Sequence, residues 1–177
     1  MIGTLTGGKS TTLSPSQRVG VFVDVQNLYH SAKNLHHARV NYKELLRHVA
    51  AGRQLIRAVA YVVKSDTAAG EASFFEALQS AGLELRVKDL QIYADGVKKA
   101  DWDVGMAVDA IRVASFLDVV VLVTGDGDFL PLVDYLKWGL GRFVEVAAFH
   151  RTASSRLREA ADKFVNIEDI PKILLRR

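Results

Sequence analysis

The chain has 177 residues, 23 Lys and Arg against 20 Asp and Glu, a net charge of +3 and no cysteine. This length fits one domain of roughly 100–200 residues, which can bury a full core without a structural staple. The lack of cysteine excludes a disulfide framework, a thiolate zinc site, an iron–sulfur cluster and a cysteine nucleophile, while the mild positive charge permits a nucleic-acid partner without requiring one.

Residues 1–17 are rich in Gly, Ser and Thr and predict a flexible N-terminal tail. Residues 3–10 match the phosphate-binding pattern G-x-x-x-x-G-K-[ST] letter for letter. That motif works between a strand and a helix, whose N-terminus meets the phosphate. Because neither element flanks it here, we interpret the match as chance. The tail also lacks the apolar stretch of a secretory signal, which favours a cytoplasmic protein.

From residue 18 onward, short apolar runs alternate with segments of helical periodicity. The predicted strands are 19–23, 55–63, 83–90, 118–124, 143–149 and 164–167. The predicted helices are 27–35, 42–51, 69–81, 101–116, 129–139 and 154–162. This alternation predicts an α/β fold whose central parallel sheet is covered by helices on both faces.

Residues 18–170 are therefore predicted to form one domain, followed by a short C-terminal tail at 171–177. No apolar run reaches the roughly 20 residues that cross a bilayer, so no membrane partner is expected. Trp138, Leu140 and Phe143 lie close together in the chain. They could form an exposed apolar patch and a homodimer contact, but we favour the alternative that they pack in the core.

Five aspartates fall where predicted strands end or a predicted helix begins. In an open parallel sheet, ligands bind beyond the carboxyl ends of the strands. Three separate segments should therefore bring their acids to one edge of the sheet. The acids are Asp24 after the first strand, Asp101 and Asp103 at the start of a helix, and Asp126 and Asp128 after the most apolar strand.

Carboxylates gathered at one edge repel each other, and a hard divalent cation would offset that repulsion. No histidine or cysteine falls in the three segments. Mg²⁺ or Mn²⁺ is therefore the expected cofactor, because both prefer oxygen ligands. Such an ion lowers the pKa of bound water and neutralises charge on a phosphoryl group.

Each acid taken alone also has a structural interpretation. Asp24 and Asp101 could cap helices, Asp103 could pair with a helix dipole, and the segment 126–128 could be a turn. Asp109 lies in an apolar helix segment and could either pair with Arg112 or face the site. The joint occurrence favours function, because independent caps would rarely all share one edge.

Three blocks of this sequence resemble the signature blocks of NYN domains, and more narrowly those of the bacterial LabA-type branch. The blocks are VFVDVQNL at 21–28, KADWDVGMAVDA at 99–110 and TGDGDF at 124–129. The resemblance covers residues 18–170 and implies a PIN-like, Rossmann-like three-layer α/β/α sandwich. It also implies an acidic Mg²⁺ or Mn²⁺ site that hydrolyses RNA phosphodiester bonds. The implied site residues are Asp24, Asp103, Asp126 and Asp128, with Asn27 as a polar residue and Asp109 as a further acid.

These observations predict a metal-dependent ribonuclease. Asn27 would hydrogen-bond a phosphate or a metal-bound water, and Thr124 would orient the nucleophile or an acid. RNA, single-stranded or structured, would be held by cations near strand ends and by aromatic side chains that stack on bases. The candidates are Lys33, Lys64, Lys98, Lys99, Arg151, Tyr29 and Trp102.

Two other functions compete with this one. A LabA-type protein could keep the acidic pocket as a non-catalytic RNA-binding or regulatory module. A phosphatase of the haloacid dehalogenase kind also uses Asp-x-Asp after a strand, but there the pair normally follows the first strand. Here Asp126 and Asp128 come late in the chain, which disfavours that alternative.

Overall fold

The structure, a computed structural model, describes residues 14–64, 70–92 and 98–176. Most of the predicted N-terminal tail, and with it the match to the phosphate-binding pattern, lies outside the described residues. None of the helices within the described ranges is both long and apolar enough to cross a membrane.

Six parallel strands form the central sheet. Within the described residues the strands are β1 (Arg18–Asp24), β2 (Arg39–Val40), β3 (Gln54–Lys64), β4 (Glu84–Asp89), β5 (Gln91–Ile92), β6 (Lys98–Lys99), β7 (Val119–Val123), β8 (Phe143–Ala148), β9 (Lys163–Asn166) and β10 (Leu174–Leu175). The sheet order is β4-β3-β1-β7-β8-β9, and every neighbouring pair is parallel. The six predicted strands are these six, so the predicted parallel sheet is confirmed.

The helices lie on both faces of that sheet. They are α1 (Val25–His36), α2 (Tyr42–Ala50), α3 (Glu71–Ser80), α4 (Asp103–Val113), α5 (Leu130–Asp134) and α6 (Ser155–Ala160). Alternate residues of β1 separate two cores. Val21 packs with α1 and α2, whereas Phe22 packs with Met106 of α4 and Val133 of α5. The predicted three-layer α/β/α class is confirmed.

The predicted helix 129–139 is not one regular helix. A 3-10 turn (Gly127–Phe129), the short α5 and a π-helical turn (Tyr135–Gly139) follow each other there. Pro131 lies in the first turn of α5, where its missing N–H costs no hydrogen bond. Trp138 in the π-helical turn is 83% exposed, so the expectation that it packs in the core is wrong, whereas Leu140 and Phe143 pack against the two cores.

Two short antiparallel ribbons were not predicted. β10 pairs with β2, and β5 pairs with β6. β10 falls in the segment expected to be a C-terminal tail, and the preceding Ile173 is only 3% exposed. Residues after 170 therefore continue to pack on the domain.

The order of the strands positions a ligand site. From β1 the chain proceeds to β3 and β4 on one side, whereas from β7 it proceeds to β8 and β9 on the other. The connections thus diverge between β1 and β7, and in open parallel sheets a crevice forms outside the carboxyl ends at such a switch point. Asp24 ends β1, and Thr124 follows β7 directly.

Candidate metal centre

Three carboxylates converge beyond the ends of β1 and β7. Asp103, Asp126 and Asp128 each offer an oxygen, and these oxygens lie within 4.8 Å of one another. Asp103 is the first residue of α4, and the other two belong to the turn after β7. Asp128 is exposed, while the other two are half-buried. Such a group of hard oxygen donors is suited to Mg²⁺ or Mn²⁺.

Asp24 lies outside this group of three, but it lines one cavity together with Asp103 and Asp126. One of its oxygens accepts a hydrogen bond from the Asn27 amide at 3.1 Å, which caps α1. The other accepts the Thr124 hydroxyl at 3.0 Å. Burial raises the pKa of Asp24, although both hydrogen bonds act against that rise. Asp24 therefore combines the two interpretations open from sequence, because it caps a helix and also lines the site.

Hydrogen bonds tie the end of β1 to the end of β7. The fully buried Thr124 hydroxyl donates to Asp24 and accepts the Asp126 amide at 3.2 Å. The Asn27 side-chain oxygen accepts the Gly125 amide at 3.0 Å. Asp126 in turn accepts the Asp128 amide at 2.9 Å. The two acids after β7 are therefore held in position by Thr124, by Asp24 at the end of β1 and by Asn27 of α1.

Gly125 allows a close approach between this turn and the loop before α6. A Cβ at Gly125 would lie 3.0 Å from the Ala153 Cα, which is closer than side chains normally come to backbone. The Ser154 amide donates to the Gly125 carbonyl at 2.9 Å. A side chain at this position would push the loop and the acidic turn apart.

Thr124→Val is expected to destabilise the protein by about 1–3 kcal/mol, because the part-buried Asp126 amide and the Asp24 carboxylate each lose a hydrogen-bond partner. The Mn²⁺ affinity should fall roughly 10-fold or more, as when a residue that orients a metal ligand is lost. Urea denaturation and isothermal titration calorimetry measure the two effects. Ser115→Ala is the control, since it removes an exposed hydroxyl from the 3-10 turn after α4, outside the acidic cavity. If Thr124→Val keeps the stability and the metal affinity of the wild type, the hydrogen bonds of Thr124 do not hold Asp24 and Asp126 in position.

The cluster is electrostatically strained without a cation. Burial and the charges of Asp126, Asp101, Asp24 and Asp128 raise the pKa of Asp103 from 3.8 to about 6. Asp101 is exposed and lines the cavity, so it contributes to this repulsion without belonging to the group of three. A divalent cation would relieve that repulsion.

This raised pKa predicts a pH dependence for the metal-free protein. Folded protein holds the Asp103 proton more tightly than unfolded protein does, so stability falls as the pH rises from about 4 to about 6 and stays lower above that. Asp103→Asn should remove this part of the pH dependence. Urea denaturation in EDTA across that range measures it. A stability difference between variant and wild type that does not change with pH would contradict the assignment.

The cavity at the cluster has a volume of about 290 Å³. Its wall includes residues that were not predicted as site residues, namely Gln26, His30, Ser31, Asn34, Tyr61, Val63 and Thr152. Four residues on α1, Asn27, His30, Ser31 and Asn34, recur at helical spacing, so they share one face of the helix. That spacing was the available sequence signal for this wall.

Asp109 lies outside the cluster and is engaged elsewhere. It accepts hydrogen bonds from the Tyr61 hydroxyl at 3.0 Å and from Arg86 at 3.1 Å, and Arg112 lies 3.7 Å away. From sequence, Asp109 could either pair with Arg112 or face the site, and the structure shows it in ion pairs with Arg86 and Arg112. Asp109 thus joins α4 to β3 and β4.

Trp102 lines the cavity, but its indole is largely committed to the fold. Its Nε1 donates to the Val62 carbonyl at 2.9 Å, and its ring packs against Tyr61 with centroids 5.5 Å apart. The Lys88 ammonium lies 4.7 Å from the ring. The position of Trp102 immediately before α4 thereby fixes where that helix begins.

Most of the described residues that were predicted to contact RNA lie outside the acidic cavity. Tyr29 is 45% exposed with the Lys33 ammonium 5.7 Å from its ring, and Lys64 is exposed at the end of β3. Arg151 pairs with Glu168 at 3.4 Å. Lys98 and Lys99 form β6, and their side chains lie outside the described part of the chain.

The fold and the site together define a class: a Rossmann-like α/β protein with a cluster of carboxylates at the switch point of its sheet. A family model for the NYN domain matches residues 18–168, and the chain belongs to the NYN domain family. The resemblance seen in the three sequence blocks is thereby confirmed.

Two relatives extend over most of the chain. The chain is 24% identical over 161 residues to the low amplitude and bright protein LabA of Synechococcus elongatus, covering 86% of this chain and 85% of LabA. It also matches the crystal structure of a protein of unknown function from Vibrio parahaemolyticus, with a TM-score of 0.83 and 32% identity. That match covers 93% of this chain and 99% of the other.

Proposed function

We propose that the protein is a metal-dependent ribonuclease that hydrolyses RNA phosphodiester bonds. The observation that carries the proposal is the convergence of Asp103, Asp126 and Asp128 within 4.8 Å at the switch point of the sheet. Membership of the NYN domain family, whose proteins are generally nuclease-like, supports the same activity.

Asp103, Asp126 and Asp128, with Asp24 beside them, would hold Mg²⁺ or Mn²⁺. The donor set fits such an ion, because it consists of carboxylates whose mutual repulsion a cation relieves. When bound, the ion would supply charge neutralisation at the phosphoryl group and a water of lowered pKa.

The chain's own residues would orient the substrate around that ion. The Asn27 oxygen is occupied by the Gly125 amide, which leaves its side-chain nitrogen as a donor for a phosphate oxygen. Thr124 would orient Asp24 through its hydroxyl. The cavity of about 290 Å³ is of the size that accommodates one nucleotide-sized group, which suits an unpaired strand.

The test is incubation of purified protein with end-labelled single-stranded RNA and Mn²⁺. We expect fragments that appear with Mn²⁺ and disappear with EDTA. Binding of RNA without cleavage at any Mn²⁺ or Mg²⁺ concentration would reject hydrolysis and favour the non-catalytic regulatory alternative. Metal-independent cleavage would reject the proposed site.

The remaining predictions are less specific. The acidic pair follows β7 rather than the first strand, so the haloacid dehalogenase alternative gains no support. A cytoplasmic location and a homodimer formed through the exposed Trp138 stay predictions.

A further inference from the structure

A second, mostly apolar groove adjoins the metal centre. It runs between α1, α2 and α3 and reaches the end of β3. Gln26, His30 and Val63 line both this flanking groove and the acidic cavity. A chain leaving the acidic cavity past these three residues would therefore enter the flanking groove directly.

The charge changes sign between the two neighbouring cavities. Aspartates line the acidic cavity, and no Lys or Arg is among the described residues of its wall. The described residues that line the flanking groove include three exposed cations and one acid. The cations are Arg39, Lys43 and Lys64, and the acid is Glu71. This arrangement separates a place for a cation from a place for a polyanion, since phosphate contacts depend on Lys and Arg.

Aromatic side chains form part of the flanking groove. Tyr29 is 45% exposed and stands beside His30, at the junction of the two cavities. Phe74 and Phe75 of α3 are half-buried, and Tyr42 packs edge-on against Phe74 with centroids 6.0 Å apart. Unpaired bases stack on such rings without needing a particular sequence.

We propose that the flanking groove binds the single-stranded RNA segment next to the scissile phosphate. The inference rests on the proposed ribonuclease function and names the form of RNA that this site takes. Bases would lie against the aromatic and aliphatic floor, and phosphates would meet Arg39, Lys43 and Lys64. Duplex RNA would be excluded, because paired bases are stacked within the helix and cannot reach the floor.

Fluorescence anisotropy of a labelled single-stranded RNA, measured in Ca²⁺ without turnover, tests this inference. Arg39→Gln/Lys43→Gln should weaken binding roughly 10-fold at low salt and reduce the salt slope by about 1.4, as expected for two lost phosphate contacts. Tyr29→Ala should weaken it at least about 5-fold through lost stacking. A duplex of the same sequence should bind more weakly than the single strand.

Arg112→Gln/Lys163→Gln is the matched control, because it also removes two positive charges, but away from the flanking groove. Arg112 is exposed on α4, and Lys163 lies on β9, the outermost strand on the other side of the sheet. Equal losses in both double variants would overturn the inference, since only net charge would then matter. Equal binding of single strand and duplex would also overturn it. A third result would also overturn the inference, namely an apolar dye that binds in the flanking groove and is not displaced by RNA. The groove would then bind a ligand other than RNA.

The outcome is separable from that of the proposed function. Groove-dependent binding without cleavage in Mn²⁺ supports the flanking groove and rejects hydrolysis. Cleavage in Mn²⁺, together with an RNA affinity that does not change when Arg39, Lys43 or Tyr29 is substituted, rejects the flanking groove alone.

Discussion

Asp126→Asn should lower the rate of Mn²⁺-dependent RNA cleavage by at least about 100-fold, which corresponds to about 3 kcal/mol of lost charge stabilisation. Asp126 supplies one of the three converging carboxylates. Asparagine keeps the shape and can still accept the Asp128 amide hydrogen bond, so the turn should persist. The change thus removes the charge that would hold the metal while leaving the fold in place. Single-turnover cleavage of labelled RNA measures the effect.

Asp134→Asn provides the matched control. Asp134 is exposed on α5, outside the acidic cavity, and should tolerate the same chemical change with unchanged cleavage. Far-ultraviolet circular dichroism of both variants verifies that they are folded. Cleavage by Asp126→Asn at a rate within about threefold of wild type would contradict the site assignment. A threefold difference is much smaller than the tenfold change that about 1.4 kcal/mol of barrier produces.

The second large effect concerns stability rather than activity. Arg53 and Glu145 form a buried bidentate ion pair, with both side chains 1% exposed and nitrogen–oxygen distances of 2.8 and 3.1 Å. Arg53 also donates to the Val49 carbonyl at 2.7 Å. The pair joins the turn after α2 to the middle of β8, away from the metal centre.

Glu145→Gln should destabilise the protein by about 3–5 kcal/mol, because the buried Arg53 charge would lose its counterion. That is a large part of the roughly 5–15 kcal/mol that stabilises a typical domain. Urea denaturation in EDTA measures the loss without interference from metal binding.

Glu84→Gln is the control, since Glu84 and Arg57 form a bidentate pair of similar geometry that is about half exposed. Water screens that pair, so its loss should cost about 1 kcal/mol or less. Similar costs for the two substitutions would show that burial of the Arg53–Glu145 pair carries no special weight.

The layers of the fold were predictable because the strongest signals are local. Every residue of β7, Val119–Val123, is apolar and buried, which is typical of a central parallel strand. The two-residue strands β2 and β10 were not predictable, since their pairing depends on contacts between distant parts of the chain. The π-helical turn was not predictable either, because the residues of that segment show the ordinary periodicity of an α-helix.

The candidate site was predictable to a similar depth. The strand ends predicted that Asp24, Asp126 and Asp128 lie at one end of the sheet, and the start of α4 predicted Asp103 there. Three of these four, Asp103, Asp126 and Asp128, form the cluster, and Asp24 lies beside it. The role of Asp109 on α4 could not be decided from sequence, because its partners Tyr61 and Arg86 lie on β3 and β4, far away in the chain. The flanking groove was missed for the same reason, since α1, α2 and α3 form it only when packed together.

The proposed function depends on a divalent metal held by Asp103, Asp126 and Asp128, whose carboxylates converge. An anomalous difference map from crystals grown in Mn²⁺ tests it most directly. We expect one strong peak within about 2.0–2.3 Å of oxygens of these three side chains, the distance typical of a hard cation of this size. A map without a peak between these carboxylates, at a Mn²⁺ concentration that supports RNA cleavage, would contradict it.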